Sequence, residues 1–485
     1  MKKDFWYLFF IAVYILSGCE HSNQNSEEQE IPGDSLVNIV VIYTNDEHGW
    51  MEPNNDYDGA PGLMKLWKTR EGYDGSDKYL IISGGDMWTG PAISTWFEGE
   101  SMVEVMNAME YDVATVGNHE FDFKVEGLNM RANQMNFPMI AANIKIKNTG
   151  EIPEFVEPYI IKNIDGVKVG IIGLASLSTP HSTAPINVVD FEFTDYTSAI
   201  QDYAAKAKQD GAEVLIVAGH ICEYEMEKLA SVAKENGISI IGGGHCHQAI
   251  AKESEGVIMI QSRKNMQAYT KVSFDYNKTK NQAVNFDYEV VWNNKHSIDS
   301  EIHDIVDKWI VKTEEELAEV IGYTDQRISK NSHEMGNMVC DSWFYALPHA
   351  DVSLTNAGGL RQDIPHGEIT LETIVGVLPF ENMIVELEFT GDELISVADY
   401  YLLGGMTTTN GYRLMDGTAI HSDSIYTVLT TDYLYSLTDN HFSEYDPDPV
   451  NTSIHFRQPV IDWIKSLNTS QTNSLTNYLD YDPRH

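Results

Sequence analysis

The stretch VNIVVIYTNDEHG, residues 37–49, shows the pattern on which the first half of the chain is built. A short apolar run, rich in β-branched residues, is followed at once by the polar side chains of Asp46 and His48. Runs of this length and composition are typical of strands in a sheet that helices cover on both faces. The stretch therefore predicts a buried strand with a polar site at its carboxyl end.

The same pattern recurs further along the chain. Other apolar runs are YLIISGGD, DVATVGNHE, EVLIVAGH, ISIIGGGH and VIMIQS, and helix-like stretches lie at 101–110, 124–136, 196–210 and 223–236. Short apolar strands that alternate with helices predict an α/β domain. Gly166 is predicted to form a hairpin turn between two strands, which makes the sheet mixed.

The size and charge of the chain narrow the possible partners. A chain of 485 residues predicts two or three domains. Lysine and arginine together number 32 and aspartate and glutamate 73, so the formal net charge is −41. We expect no binding to nucleic-acid polymers, because their backbone carries charge of the same sign. Wherever a phosphate binds, metal ions or arginines must supply local positive charge.

Composition shifts divide the chain into successive parts. They are a signal peptide (1–19), a polar tether (20–36), a first α/β domain (37–297), an inter-domain helix (298–322), a second α/β domain (323–467) and a polar tail (468–485). Ile302, Ile305, Trp309 and Val320 are predicted to share one face of the inter-domain helix. The tail is expected to fray because it is short and polar.

The N-terminus resembles an export signal. Lys2 and Lys3 precede an apolar run at 5–16, which is too short to span a bilayer but fits a signal peptide. The run ends in Leu-Ser-Gly-Cys, which resembles the lipobox of bacterial lipoproteins. Cys19 is therefore predicted to be lipidated and to anchor the exported chain to a bacterial membrane. The alternative is an ordinary secretory signal with an incidental cysteine.

With Cys19 assigned to a lipid, Cys222, Cys246 and Cys340 remain. An odd number of scattered cysteines does not indicate a disulfide framework. Cys246 lies between His245 and His247 in the stretch GGGHCHQ. We predict that its side chain packs inside the domain and is not a metal ligand.

Side chains that can bind metal ions follow several of the predicted strands. They are Asp46, His48, Asp86, Asn118, His119, Asp122, His220, His245 and His247. Open α/β sheets place ligand crevices at the carboxyl ends of their strands. Because residues two apart in a strand point the same way, Asp46 and His48 are expected to converge, as are His245 and His247. Each motif alone also fits a plain turn after a strand, but their joint occurrence favours a metal site.

The motifs TNDEHG, GGD, GNHEFD, GH and GGHCH, in this order, resemble those of the calcineurin-like metallophosphoesterases. More narrowly, they resemble the secreted 5'-nucleotidase and UDP-sugar hydrolase branch. The resemblance covers residues 37–460. It implies a four-layer αββα sandwich followed by a C-terminal α/β substrate-binding domain.

The resemblance implies a hydrolase that removes phosphate from nucleoside 5'-monophosphates outside the cytoplasm. Alternatives within the family are 2',3'-cyclic-nucleotide phosphodiesterase/3'-nucleotidase and UDP-sugar hydrolase activities. A non-catalytic lipoprotein that binds a nucleotide or a metal is the alternative from a different class.

The resemblance also implies two divalent transition-metal ions, and the ligand types suit Zn, Mn, Fe or Co. One ion would be held by Asp46, His48, Asp86 and His247, and the other by Asp86, Asn118, His220 and His245. His119 would contact the phosphoryl group, and Asp122 would orient His119. Asp122 also fits a helix cap, because a helix is predicted to begin near Lys124. Glu120 has no assigned role.

In the second domain, TNAGGLRQDIPHGEIT (355–370) resembles the family's N-x-G-G-x-R motif and implies substrate contacts by Asn356 and Arg361. By the same resemblance, Phe380 and Tyr433 sandwich the nucleobase and Asp439 belongs to the substrate pocket. Taken alone, each aromatic also fits a core position, and the arginine also fits a surface turn.

Two departures from the family pattern concern this pocket. The residues that flank Asp439 are Thr438 and Asn440, where the family usually has glycines. Ser329 stands where a second pocket arginine is expected, and Arg327 either substitutes for that arginine or points elsewhere.

Overall fold

The computed structural model describes residues 36–484. The predicted signal peptide, nearly all of the tether and the predicted lipidation site at Cys19 lie outside the described residues. No helix within 36–484 is both long enough and apolar enough to cross a bilayer.

Two mixed β-sheets form the centre of the N-terminal domain. The strands of this domain are β1 (Leu36–Thr44), β2 (Tyr79–Ser83), β3 (Val113–Thr115), β4 (Met139–Ile140), β5 (Ile144–Ile146), β6 (Tyr159–Ile164), β7 (Val167–Leu174), β8 (Phe191–Phe193), β9 (Val214–Gly219), β10 (Ile238–Gly242), β11 (Ala249–Ser254), β12 (Val257–Ser262), β13 (Ala268–Asn277) and β14 (Gln282–Trp292). One sheet has the order β14-β13-β1-β2-β3-β4, and the other has the order β11-β12-β10-β9-β7-β6. The predicted hairpin at Gly166 is confirmed, since β6 and β7 pair antiparallel across it.

Helices cover the outer face of each sheet. The helices as far as the second domain are α1 (Gly59–Leu66), α2 (Ala92–Thr95), α3 (Glu100–Ala108), α4 (Lys124–Gln134), α5 (Thr179–Ser182), α6 (Tyr196–Gln209), α7 (Glu223–Glu235) and α8 (Ser300–Leu317). Helices α1, α3 and α8 share an apolar core with the first sheet, and α6 and α7 share one with the second. A third core lies between the two sheets and includes Ile39 and Ile171. The predicted four-layer αββα sandwich is therefore confirmed.

Helix α8 connects the two domains, and its residues Ile302 and Trp309 are buried as predicted. The placement of Val320 on the same helical face is wrong. The helix ends at Leu317, and Val320 begins a strand and is exposed. Helical periodicity cannot show where a helix stops when no glycine or proline marks its end.

The C-terminal domain is also α/β. Its strands are β15 (Val320–Thr324), β16 (Val352–Thr355), β17 (Gly367–Thr370), β18 (Met383–Thr390), β19 (Leu402–Gly404), β20 (Met406–Thr407), β21 (Arg413–Leu414), β22 (Ile425–Thr431) and β23 (Val450–His455). Its helices are α9 (His333–Ala346), α10 (Leu371–Val377), α11 (Gly391–Ala398), α12 (Asp432–Ser436), α13 (Phe442–Tyr445) and α14 (Gln458–Leu467). The main sheet has the order β19-β16-β22-β18-β23.

The expectation that the segment after Leu467 frays is wrong for its described residues. The side chain of Asn337 donates hydrogen bonds of 3.0 Å to the carbonyl oxygens of Asp480 and Asp482. Arg484 is only 4% exposed and forms an ion pair of 2.6 Å with Asp341. Composition indicated a polar segment, but it could not show that these polar groups have specific partners in the domain.

Candidate active site

The loops after the strands, and not the strands themselves, direct the candidate ligands. Strand β1 ends at Thr44 and β10 at Gly242, so the Asp46/His48 and His245/His247 pairs lie beyond them. These four residues have φ values of 52°, 47°, 67° and 55°. The prediction that strand alternation aims each pair is therefore wrong. A left-handed backbone costs a non-glycine residue roughly 1–2 kcal/mol, so surrounding contacts must impose it.

Ligand-type side chains from both sheets meet in one cluster. Among the described residues, sets whose ligand atoms all lie within 4.8 Å of one another are Asp46/His48/His247, Asp86/His220/His245 and His48/Asp86/His119. Nε2 of His220 lies 3.0 Å from Oδ2 of Asp86. Nε2 of His48 lies 3.3 Å from Nε2 of His247. Two bare imidazole nitrogens so close need a proton or a cation between them, which is the first sign that the cluster suits a metal.

Hydrogen bonds around the cluster leave metal-binding atoms free. Nδ1 of His220 lies 2.8 Å from the carbonyl oxygen of Gly84, which holds the proton on Nδ1 and leaves Nε2 to bind. The amide of Asn118 donates from Nδ2 to the carbonyl oxygen of Ser182. Its Oδ1 is buried without a hydrogen-bond partner among residues 36–484. A buried polar atom left unpaired is costly unless a ligand completes it, so these residues fit divalent cations.

The protonation states of His245, His247 and Asp86 suit metal binding. Burial lowers the pKa of His245 to about 4 and that of His247 to about 3, so both rings are neutral near pH 7. Burial alone would raise the pKa of Asp86, but His220 and His119 outweigh it and hold that pKa well below its ordinary value. Neutral imidazoles and an ionised carboxylate are the forms that coordinate metals. Burial would lower the pKa of His220, but the carboxylate of Asp86 outweighs it and raises that pKa to about 10, so a metal ion would have to displace the proton on Nε2 of His220.

Glu120, to which the sequence assigned no role, holds the loop of Asp86. Its buried carboxylate accepts hydrogen bonds from the backbone N–H groups of Asp86, Met87 and Gly117 at 2.9, 2.7 and 2.7 Å. A Cβ atom on Gly117 would lie 2.2 Å from Oδ1 of Asp86, so this glycine permits the close approach. Glu120, the last residue of the stretch GNHE, thus fixes the position of Asp86, which follows a different strand. The one sequence signal for this role of Glu120 is that it directly follows His119 in the motif.

His119 and Asp122 form the predicted pair. Nδ1 of His119 lies 2.6 Å from Oδ2 of Asp122. Burial lowers the pKa of His119, but the carboxylates of Asp122 and Asp86 raise it more, so the net shift is upward. Asp122 does not cap helix α4, which begins after Phe123 and has no side-chain cap.

Thr183, which the sequence did not single out, extends this pair. Its hydroxyl donates a hydrogen bond of 3.0 Å to Oδ1 of Asp122. The residue is 2% exposed, so water does not compete strongly for this bond. The carboxylate of Asp122 is therefore held from both oxygens. No sequence signal marked Thr183, because it lies 61 residues after Asp122 and in an ordinary loop.

The C-terminal domain completes a cleft next to this cluster. The cleft has a volume of about 1120 Å³. Its lining includes Asn118, His119, Asp122, His245 and His247 from the N-terminal domain and Asn356, Arg361, Phe380 and Tyr433 from the C-terminal domain. The guanidinium carbon of Arg361 lies 5.7 Å from the centroid of the Phe380 ring. The hydroxyl of Tyr433 donates to the carbonyl oxygen of His181 at 3.2 Å.

Two residues considered for the pocket lie elsewhere. The side chain of Asp439 is 83% exposed, lies 3.7 Å from Nδ1 of His181 and does not line the cleft. Arg327 is 70% exposed and pairs with Asp363, so it does not substitute for the arginine that Ser329 replaces. In the described cleft lining, arginine charge comes from Arg361.

The sequence wrongly predicted that the cysteines form no disulfide and that Cys246 packs inside the domain, whereas the prediction that Cys246 is not a metal ligand agrees with the structure. Cys222 and Cys246 form a disulfide, and Cys340 is a buried free thiol. Cys246 is exposed and does not pack inside the domain. The odd count hid the pair because one core cysteine is unpaired. The separation of 24 residues hid it too, since the pair meets only where the parallel strands β9 and β10 end together.

An αββα sandwich with carboxylate, amide and imidazole groups beyond its strand ends, facing a second domain across a cleft, is the arrangement that the motif resemblance predicted for a two-domain metallophosphoesterase. The comparisons agree with this class. Residues 39–249 match the calcineurin-like phosphoesterase family, and residues 311–401 match the 5'-nucleotidase C-terminal domain. The chain therefore carries a calcineurin-like phosphoesterase domain followed by a 5'-nucleotidase C-terminal domain.

Proteins that are similar to this chain include an endonuclease and 5'-nucleotidases. The chain is 25% identical to endonuclease YhcR of Bacillus subtilis over 94% of this chain, but it spans only 42% of the length of YhcR. It is 27% identical to the 5'-nucleotidase of Bos taurus over 73% of this chain and 70% of that protein. The crystal structure of a 5'-nucleotidase precursor from Thermus thermophilus aligns with a TM-score of 0.77 and 18% identity, covering 92% of this chain and 99% of that one. This last likeness supports the fold.

Proposed function

We propose that this protein removes phosphate from nucleoside 5'-monophosphates with the help of two divalent metal ions. The observation that carries this proposal is the single cleft that joins the ligand cluster to Phe380 and Tyr433. The lining offers groups that suit a phosphate and aromatic rings that suit a base. A nucleoside monophosphate has these two parts in one molecule.

The ligand groups support two ion sites that share Asp86. Asp46, His48, Asp86 and His247 would hold one ion, and Asp86, Asn118, His220 and His245 the other. Mixed oxygen and nitrogen ligands suit Zn, Mn, Fe or Co and do not choose between them. When bound, such ions supply positive charge that stabilises the transferring phosphoryl group.

His119 is proposed to protonate the leaving oxygen of the nucleoside. Its raised pKa favours the protonated ring, and the bond from Nδ1 to Asp122 leaves Nε2 as the atom that donates. Arg361 is proposed to donate hydrogen bonds to the phosphate oxygens. A planar guanidinium matches that geometry, and its positive charge is needed in an acidic chain.

Phe380 and Tyr433 are proposed to stack on the base. Such stacking contributes about 1–3 kcal/mol per base and tolerates different bases. Asn356 lines the same cleft and is proposed to contact the sugar or the phosphate. Asp439 stands at the rim near His181, so its proposed contact with substrate requires a shift of its loop.

A substrate panel tests the proposal. Metal-loaded protein is assayed for phosphate release from nucleoside 5'- and 3'-monophosphates, 2',3'-cyclic nucleotides, UDP-sugars and p-nitrophenyl phosphate. We expect the highest kcat/KM for a 5'-monophosphate. A preference for a cyclic nucleotide or a UDP-sugar would select one of the two alternatives within the family. Because one relative is named an endonuclease, single-stranded DNA is included. No turnover of any substrate would leave only the non-catalytic binding role.

Export and lipid anchoring at Cys19 are proposed from the sequence alone. Metabolic labelling with an alkyne fatty acid should mark the wild-type protein and not Cys19→Ser. Equal labelling of both proteins would exclude Cys19 as the anchor. Secretion of an unlabelled wild-type protein would support the ordinary signal peptide.

A further inference from the structure

The disulfide between Cys222 and Cys246 joins two loops that carry candidate metal ligands. Cys222 is two residues after His220, at the end of β9. Cys246 lies directly between His245 and His247, beyond the end of β10. The covalent bond therefore connects the backbone segments of three candidate ligands that belong to both proposed ion sites.

The segment around Cys222 is held firmly in the fold. Cys222 is 3% exposed and stands at the N-terminus of α7, and its backbone N–H donates a hydrogen bond of 2.8 Å to the side chain of Glu225. His220, two residues earlier, is completely buried, and its Nδ1 is held by Gly84. The loop after β9 is thus fixed by burial and by hydrogen bonds.

The segment around Cys246 is exposed and strained, so contacts with other segments must hold its conformation. Cys246 is exposed, and the residues on both sides of it have left-handed backbone conformations, with φ of 67° at His245 and 55° at His247. Nε2 of His245 lies 3.1 Å from the hydroxyl of Ser178, and two further hydrogen bonds join the backbone of His245 and His247 to other segments. The backbone N–H of His245 donates to Asp46 at 3.1 Å, and Arg263 donates to the carbonyl oxygen of His247 at 2.8 Å. The first of these acceptors is itself a candidate metal ligand.

We propose that the Cys222–Cys246 disulfide is a positioning element, which holds His245 and His247 in their strained backbone so that both imidazoles face the ion sites. This inference rests on the metal binding in the proposed function. Neither Cys222 nor Cys246 is among the described residues that line the cleft or form the candidate ligand sets. It acts by tying an exposed, strained loop to the buried start of α7.

The test measures Mn²⁺ binding by titration calorimetry, without substrate, to the wild-type protein, Cys222→Ser, Cys246→Ser and the double variant. Removing a residue that orients metal ligands typically weakens metal affinity about 10–100-fold. We expect at least about tenfold weaker binding for each variant, and faster loss of Mn²⁺ to EDTA. The double variant should be no worse than the single variants, since each breaks the same bond. Wild-type affinity in all three variants would overturn the proposal.

A loss of metal affinity caused by misplaced ligands must be distinguished from a loss of metal affinity caused by unfolding. Loss of a disulfide also destabilises the fold by freeing the unfolded chain. Binding is therefore measured at a temperature where circular dichroism shows every variant folded, because a purely structural bond would leave the affinity of folded protein unchanged. If the double variant does not fold, the wild-type protein is reduced with a trialkylphosphine, which breaks the S–S bond to two thiols and becomes the phosphine oxide. Unchanged affinity after reduction would also overturn the proposal.

Two outcomes distinguish this inference from the proposed function. If the wild-type protein binds no Mn²⁺, Zn²⁺ or Co²⁺, the metal-dependent function fails and the inference fails with it. If the wild-type protein binds metal and hydrolyses its substrate, but the serine variants bind equally well, only the role of the disulfide fails.

Discussion

The ring of Phe380, from the C-terminal domain, stacks against the imidazole of His119, with centroids 5.9 Å apart and an interplanar angle of 21°. The proposed base-stacking residue and the proposed acid are therefore neighbours across the cleft. Phe380 is partly exposed in the cleft and also packs against the core of the C-terminal domain. Because the two roles involve different parts of a substrate, the choice of substrate can separate them.

Phe380→Ala should weaken nucleotide binding much more than it weakens hydrolysis of a small ester. Lost stacking of about 1–3 kcal/mol corresponds to a KM that rises roughly 5- to 150-fold for a nucleoside monophosphate. The kcat/KM for p-nitrophenyl phosphate should change little, since that substrate has no base. Steady-state kinetics on both substrates provide the measurement. Equal losses would mean that Phe380 supports His119 and does not bind the base.

His119→Ala should retain metal but lower kcat for a nucleoside monophosphate by about 10²–10⁴-fold, the usual contribution of a general acid. The loss should be smaller for p-nitrophenyl phosphate, whose leaving group departs without protonation. Metal content by mass spectrometry and kcat for both esters are compared with the wild-type values. A loss that is the same for good and poor leaving groups would remove proton donation from the role of His119.

Thr183→Val should lower kcat severalfold, because it removes the hydroxyl that donates to Asp122 while it keeps the shape of the side chain. A buried hydrogen bond to a charged group is worth about 1.5–3 kcal/mol. Thr183→Ser, which keeps the hydroxyl, is the matched control and should remain near wild type. Bound metal should be the same in both variants. A Thr183→Val enzyme with normal kcat would show that His119 already fixes Asp122.

The number of metal ions retained by a variant should show whether the replaced residue belongs to both ion sites or to one. Asp86→Ala should lose both ions after desalting, because Asp86 belongs to both proposed sites. His247→Ala should keep about one of two Mn²⁺ ions, since four ligands of the other site remain. His349→Ala, at an exposed position in the C-terminal domain, is the control and should keep both. Full loss in His247→Ala would mean that the two sites fill only together.

Arg484→Ala should destabilise the C-terminal domain by about 2 kcal/mol, the typical scale for hydrogen bonds to a charged partner. The variant leaves Asp341 and Asp480 without the guanidinium to which both are bonded. Urea unfolding measures the difference. Arg413→Ala is the control, because Arg413 is exposed and bonds only to the carbonyl oxygen of Gly417 among the contacts described for its side chain. Equal midpoints for both variants would show that the tail contributes nothing to stability.

The alternation of strands and helices and the identity of the clustered side chains were predictable from the sequence pattern, whereas the αββα class was implied by the family resemblance of the motifs. These features depend on short segments of sequence. Apolar runs such as 37–44 report burial directly, and parallel strands put their carboxyl ends at one edge whatever the details of the loops. The cluster of Asp46, Asp86 and His220 follows from that rule once the strands are recognised.

The positions of individual side chains were decided only by the tertiary structure. His245 and His247 reach the cluster through a loop with left-handed backbone conformations, and not through strand alternation. Thr183 and Glu120 acquired their roles from hydrogen bonds between segments far apart or on different strands. Arg484 became buried because two carboxylates bind its guanidinium in the folded domain. Sequence patterns report periodic burial, whereas bonds between distant segments depend on how the loops pack, which no local pattern records.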